Sequence, residues 1–300
     1  MPNIRPIRPL ITKGLGDLIL NLKGNPTMAT ASVRPANPIA EKMIETFQSL
    51  IPPIVCSSAT LLVWQLLCSS ADSKMPGPIK VISQTVGTIT GGFSENGIWM
   101  QLLNSLTRVG IGYVSAAILG IAIGVTIGVN KFLREGFDPL IQILRTVPPL
   151  AWLPISTILF LQTSKPAENA GIFLIFITAI WPIIINTAVG VQQIPKDYTN
   201  VAKVLKLSGK DFLFSILIPS TVPYIFTGLR IGVGLAWLAI VAAEMLSTGA
   251  GGIGAYIWNE YTSMLDDSIS KIVLAVFSVG LVGLVLDRIV GWLGSLVVAE

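Results

Sequence analysis

The chain has 300 residues, of which 12% are charged and 52% hydrophobic, with a mean hydropathy of +0.73. That balance leaves too few charges to clothe a soluble domain of this length and points to an integral membrane protein. There is no histidine, which excludes Ser/His/Asp and Cys/His catalysis, histidine metal sites and histidine proton relays; the net charge of +4 is better explained by membrane orientation than by nucleic acid.

Residues 1–45 read as a tail interrupted by Pro2, Pro6, Pro9, Pro26, Pro35 and Pro38. It does not read as a signal peptide, because no compact apolar segment follows the early arginines. One piece has helical period: Ile11, Leu15, Leu18, Ile19 and Leu22 share a face opposite Lys13, Asp17 and Asn21. It fits a helix lying on the membrane or docking on a partner, and equally a weakly ordered tail. A second amphipathic run starts at Asn37-Pro38, a cap followed by an N1 proline, and is lined by Ile39, Met43, Phe47 and Leu50.

Long charge-free runs occupy 46–71, 109–130, 146–164, 169–195, 212–229 and 272–286. A helix needs about 20 apolar residues to cross the hydrocarbon core. The runs predict six spans, over about 48–71, 108–130, 139–162, 170–191, 217–246 and 271–297. Cys56 and Cys68 both fall in the first, too far apart on one helix to bridge, and suit packing as small apolar residues. Between spans one and two, Pro76-Gly77-Pro78 precedes Trp99, Leu102, Leu103 and Leu106 at helical spacing, the mark of an interfacial helix.

Span two carries Gly112, Ala116, Gly120, Gly124 and Gly128 at intervals of four. Small residues at that step form a ridge that another helix can approach closely. Pro148, Pro149 and Pro154 lie in span three and Pro182 in span four. They fit plain kinks and, equally, a bundle around a pathway. Arg145 sits near one end of span three, and Arg230 and Glu244 lie in span five, too far apart to pair with each other. Intramembrane charges are functional candidates that also tie helices together or snorkel.

Lysines and arginines number fourteen on the side that holds both termini and five on the other. The asymmetry places both termini in the cytoplasm. On that side, the loop 192–218 is long and amphipathic, with Tyr198, Val201, Ala202 and Leu205, then Phe212, Leu213 and Ile216. Two short helices around a Ser208-Gly209 turn fit it. Such a loop suits docking on a cytoplasmic partner or a plain interfacial linker. On the opposite side, Gly249, Gly251 and Gly254 spell G-x-G-x-x-G, but no strand precedes them, so a turn is expected and not a dinucleotide site. Ser208-Gly209-Lys210-Asp211 lacks the upstream glycine and the following Ser/Thr of a P-loop, so any nucleotide belongs to another chain.

The 192–218 loop resembles the coupling-helix signature of binding-protein-dependent ABC-importer permeases. Asn200-Val201-Ala202, Lys206, Ile216 and Ile218-Pro219 match in spacing that family's Glu-Ala-Ala, glycine, isoleucine and Leu-Pro. Identity departs at Asn200, Val201, Lys206 and Ile218. Lys206 stands where the family has its turn glycine, which makes Ser208-Gly209 the candidate to take over the turn. The stretches 146–154, 223–232 and Ala242-Ala243-Glu244-Met245 look like the nitrate/sulfonate/taurine branch. Residues 181–195 and Leu286-Asp287-Arg288 are similar to the permease subunit of nitrate/nitrite and bicarbonate importers. The resemblance covers roughly 45–295 and leaves out the tail.

The resemblance implies an all-α, six-transmembrane-helix type I ABC-importer permease over residues 46–300, in the cell inner membrane, with both termini cytoplasmic. Two copies pair around one pathway, each coupling loop sits in a cleft of an ATPase subunit, and a solute-binding protein delivers substrate. ATP and Mg²⁺ then belong to the ATPases, which in nitrate importers can be two different chains, and a nitrogen-status regulatory protein can act on the complex. Membrane lipid is a partner; nucleic acid, a cofactor and catalytic residues are not expected. The coupling residues implied are Asp197, Asn200, Val201, Ala202, Leu205, Lys206, Leu207, Ser208, Gly209 and Asp211. Candidates for the pathway are Arg145, Trp152, Asn186, Arg230 and Glu244. The expected function is ATP-driven import of nitrate and nitrite. Bicarbonate, sulfonate or cyanate import by the same branch and ion-coupled secondary transport are the alternatives. A pathway with few fixed charges and many small residues suits a compact anion, which must bind weakly enough to leave.

Overall fold

The computed structural model describes residues 38–70, 73, 75–92, 97–247 and 251–298. The proline-broken tail and its 11–22 amphipathic segment lie outside the described residues. The chain divides into two units, Met1–Val63 and Trp64–Glu300. Helix α1 (Pro38–Leu67) starts at the proline expected at N1 and carries Pro52 and Pro53 within it.

Next in chain order are α2 (Pro78–Thr90), α3 (Ile98–Val129), α4 (Lys131–Leu144), a 3₁₀ turn (Pro149–Trp152), α5 (Leu153–Leu159), α6 (Pro166–Gln192) and α7 (Lys196–Val204). Then come a single turn (Gly209–Phe212), a π-helical turn (Leu213–Leu217), α8 (Ile218–Leu246), α9 (Ile253–Ser263) and α10 (Ser268–Val298). Among the described residues there is no strand. Five helical segments are long and apolar enough to cross a membrane: Ser49–Leu67, Ile98–Val129, Pro166–Gln192, Gly209–Leu246 and Ser268–Val297.

The chain between α3 and α6 differs from its expected form. The 139–162 stretch is not one helix. Two successive prolines remove two N–H donors, and a residue before proline is driven out of the α region. Pro148 accordingly takes an extended conformation (φ −56°, ψ 136°), and the helix stops at Leu144 and resumes only after the 3₁₀ turn. By contrast, the interfacial helix expected around Trp99 and the second span are continuous as α3, because no breaker lies between Gly97 and Asn130. Asn130 then starts α4, its side chain accepting from the N–H groups of Phe132 (2.9 Å) and Leu133 (3.3 Å).

Helix α6 is the centre of the Trp64–Glu300 unit and packs most extensively on α3 and α8. The small-residue ridge explains the first of these contacts. A Cβ added at Gly112 would lie 2.8 Å from Ile175 Cβ, at Gly124 2.6 Å from Thr187 Cβ, and at Gly128 2.6 Å from Val191 Cβ. Ala116 between them is fully buried. Removing the side chains on one helix thus lets the β-branched residues of the other seat against backbone. Tyr113 Oη donates to Leu229 O (2.9 Å) and joins α3 to α8, and Trp237 Nε1 donates to Val279 O (2.9 Å) and joins α8 to α10.

Candidate functional site

The break at Pro148-Pro149 places Arg145 and Trp152 beside α6. Together with Thr178, Trp181, Pro182 and Asn186 of α6 and Ile231 and Leu235 of α8, they line a cavity of about 350 Å³. Among the described residues, Arg145 is the one charged residue in its wall. Pro182 has no N–H to give the Thr178 carbonyl, and Asn186 Nδ2 turns back to bond Pro182 O at 2.8 Å. A second cavity, about 520 Å³, is lined by Arg134, Glu135, Asp138, Gln142 and Gln192 and shares Ile185 with the first. Thr178, Trp181, Ile185, Val189 and Gln192 recur every three or four residues, so one stripe of α6 lines both cavities in succession.

Three of the five expected pathway residues, Arg145, Trp152 and Asn186, therefore meet in one cavity. The other two lie elsewhere and in ion pairs. Arg230 grips Asp287 of α10 through two bonds, Nε–Oδ1 at 3.0 Å and Nη2–Oδ2 at 2.7 Å. Glu244 accepts from Arg108 Nη1 (2.6 Å), Ser105 Oγ (2.7 Å) and Gly254 N (3.1 Å). The same knot holds the turn after α8: Arg108 Nη1 also donates to Gly251 O (3.0 Å), Ser105 Oγ accepts from Ile253 N (2.9 Å), and Gln101 Oε1 accepts from Gly252 N (2.6 Å). Gly252 stands at φ 103° with the Glu244 carboxyl against its α-carbon, a place open only to glycine. The described part of the G-x-G-x-x-G segment is thus a tight turn over a buried carboxylate. Sequence reasoning missed Arg108 and Asp287 as partners. It also missed Thr178 and Trp181, whose signal was their helical spacing from Ile185.

In the 192–218 loop, α7 and the Gly209–Phe212 turn match the expected pair of short helices. The turn between them is not where the serine and glycine suggested. Lys206 itself adopts φ 51°. Its N–H bonds Lys203 O (3.1 Å) and the Leu207 N–H bonds Ala202 O (3.0 Å), the paired bonds of a Schellman ending with lysine in the glycine position. Ser208 instead caps the Gly209–Phe212 turn: its Oγ accepts from Asp211 N (3.2 Å) and donates to Asp211 Oδ2 (2.6 Å). Ala202 is buried within its own chain, whereas Tyr198, Val201, Val204 and Leu205 are exposed. Asp197, Asn200, Lys206, Gly209 and Asp211 are exposed around them. The loop presents an apolar patch ringed by polar groups and suited to a partner's cleft.

Residues 116–298 match the family described as binding-protein-dependent transport system inner membrane component. The chain is 56% identical over 254 residues to the nitrate import permease protein NrtB of Synechococcus elongatus, covering 82% of this chain and 89% of that one. It is 47% identical over 270 residues to the bicarbonate transport system permease protein CmpB of Synechocystis sp., covering 87% and 94%. Among solved structures, inward-facing MetNI methionine ABC transporter superposes with a TM-score of 0.52 at 18% identity, covering 64% of this chain and 94% of that chain.

Proposed function

The chain belongs to the binding-protein-dependent transport system inner membrane components, and from that membership we propose that it forms the translocation pathway of an ATP-driven importer of nitrate. It is a multi-pass inner-membrane, non-catalytic permease subunit of an ABC transporter, which implies ATPase and solute-binding-protein partners. Nitrate is preferred to bicarbonate because identity to the nitrate permease is higher, 56% against 47%. The cavity agrees in sign, since a lone arginine among apolar and neutral polar groups favours a small anion.

In this reading two copies of the chain enclose the route, and both termini are cytoplasmic. The stripe of α6 shared by the two cavities is the wall along which the anion moves, with Arg145, Trp152 and Asn186 beside it in the first cavity. Arg230 and Glu244 serve by holding α8 to α10 and α3. The exposed face of α7 docks in the ATPases, which carry ATP and Mg²⁺ and can be two different chains. A nitrogen-status protein acts on the assembled complex. The test is reconstitution of the complex in liposomes with its binding protein. ATP-dependent uptake of nitrate exceeding that of bicarbonate supports the proposal. Uptake of bicarbonate alone moves the chain to the sister activity, and uptake driven by an ion gradient without ATP overturns it.

A further inference from the structure

Several threonines inside the helices of this protein bond the carbonyl one turn back: Thr85 to Val81, Thr126 to Ala122 and Thr221 to Leu217, each at 2.7 Å. Thr178 breaks the pattern. The residue is 7% exposed and its Oγ1 is buried without a hydrogen-bond partner among the described residues. Three residues on, the indole Nε1 of Trp181 is buried and likewise unpartnered. Trp99 and Trp237, by comparison, each donate to a carbonyl at 2.9 Å. An indole N–H can only donate, and buried donors are rarely left unused. A third orphan, Thr187 Oγ1, lines neither cavity, and its side chain packs against Gly124.

Thr178 and Trp181 both line the 350 Å³ cavity, together with Arg145 and, among the described residues, no carboxylate. Residues three apart on a helix share one face, with Cβ atoms about 5–6 Å apart, so both side chains border the same cavity. Resting on the pathway reading above, we infer that Thr178 and Trp181 form an anion subsite, in which the hydroxyl and the indole N–H donate to a compact oxyanion of nitrate's size. Arg145 supplies attraction of the right sign, and the apolar walls of Ile177, Ile231 and Leu235 keep the site weak enough to release its guest. The anion supplies the two donors with the acceptors they lack within the described chain.

The test uses the purified complex, with its ATPases and binding protein, in proteoliposomes. Trp181→Phe keeps a ring and removes the N–H; Thr178→Val keeps the shape and removes the hydroxyl; Thr178→Ser keeps the hydroxyl. Nitrate uptake and ATP hydrolysis are measured at saturating, nitrate-loaded binding protein. Loss of one hydrogen bond to an anion predicts about a tenfold fall in uptake for Trp181→Phe and for Thr178→Val. Hydrolysis falls less, so fewer anions move per ATP, and Thr178→Ser restores the ratio. An unchanged ratio of nitrate to ATP in both variants overturns the subsite. So does an equal loss in Thr178→Val and Thr178→Ser, which marks a packing role. If Trp181→Phe does not assemble, the Thr178 pair decides. Wild-type complex that moves no nitrate overturns the proposed function instead, and it does so before any variant is made.

Discussion

Arg108 Nη1 lies 2.6 Å from Glu244 Oε1, and the two side chains are 8% and 2% exposed. The pair joins the start of α3 to the end of α8, and the turn Gly251–Ile253 closes over it through Gln101 and Ser105. Its environment is dry enough that a charge left alone there has no water to turn to.

Removing one partner is therefore more damaging than removing both. Arg108→Ala or Glu244→Ala lowers stability by about 3–5 kcal/mol, and the double change Arg108→Met/Glu244→Leu recovers a large part of that loss. Thermal unfolding of the purified permease measures it. A double variant no more stable than either single would assign the stabilisation to the bonds with Gly251 and Gly254 instead of the charge pair.

The ridge on α3 makes a positional prediction. At Gly124 an added Cβ meets Thr187 Cβ at 2.6 Å and Ile184 O at 2.8 Å, whereas at Gly110 it meets nothing within 4 Å. Gly124→Val costs about 1–3 kcal/mol through overpacking. Gly110→Ala leaves the melting temperature unchanged or slightly raised. Parallel melting curves of the two variants separate packing from helix propensity.

Lys206 holds a left-handed backbone that glycine adopts without penalty. Lys206→Gly relieves about 1 kcal/mol of that strain, and Lys206→Val aggravates it. Hydrogen exchange reads the effect at the Leu207 amide, which bonds Ala202 O across the turn. Exchange there slows in the glycine variant and quickens in the valine variant.

The apolar patch on α7 separates docking from folding. Val201 and Leu205 are exposed and Ala202 is buried. A charge placed on a face that enters an apolar cleft is desolvated without a partner. Val201→Asp and Leu205→Asp should therefore cut ATP-driven uptake by about tenfold or more, while membrane insertion and the loop's own structure survive. Ala202→Asp removes uptake as well, but disturbs the loop before any partner binds. Co-purification of the ATPases, with exchange at residues 196–207, tells the two failures apart.

Much of this architecture was legible in the chain. The four-residue spacing of Gly112, Ala116, Gly120, Gly124 and Gly128 announced a close helix contact, because small residues at that step have one physical use in a bundle. The amphipathic period of Tyr198, Val201 and Leu205 announced the short helix α7, on which or at whose end all three side chains lie exposed. The prolines at 148 and 149 announced a disturbance, yet not that it would bring Arg145 and Trp152 to Asn186, because a proline states where regular bonding stops and not where the chain goes next. The turn in the 192–218 loop was misplaced for a related reason. Local preference favours glycine at a left-handed position, and the bonds from the flanking amides hold Lys206 there instead.

The sequence by itself determined the solvent this protein lives in, its helices and which of their faces are small, since these follow from composition and period along one chain. Pairing was decided only in three dimensions. Arg230 and Glu244 looked alike as charges in one span, and the fold sent the first to Asp287 and the second to Arg108, 57 and 136 residues away. Charge interaction depends on distance through space and on the loss of water around it, and neither is written in the spacing of residues along a helix. The same holds for Thr178 and Trp181, whose unspent donors become visible only when every neighbour that could have accepted from them is in place.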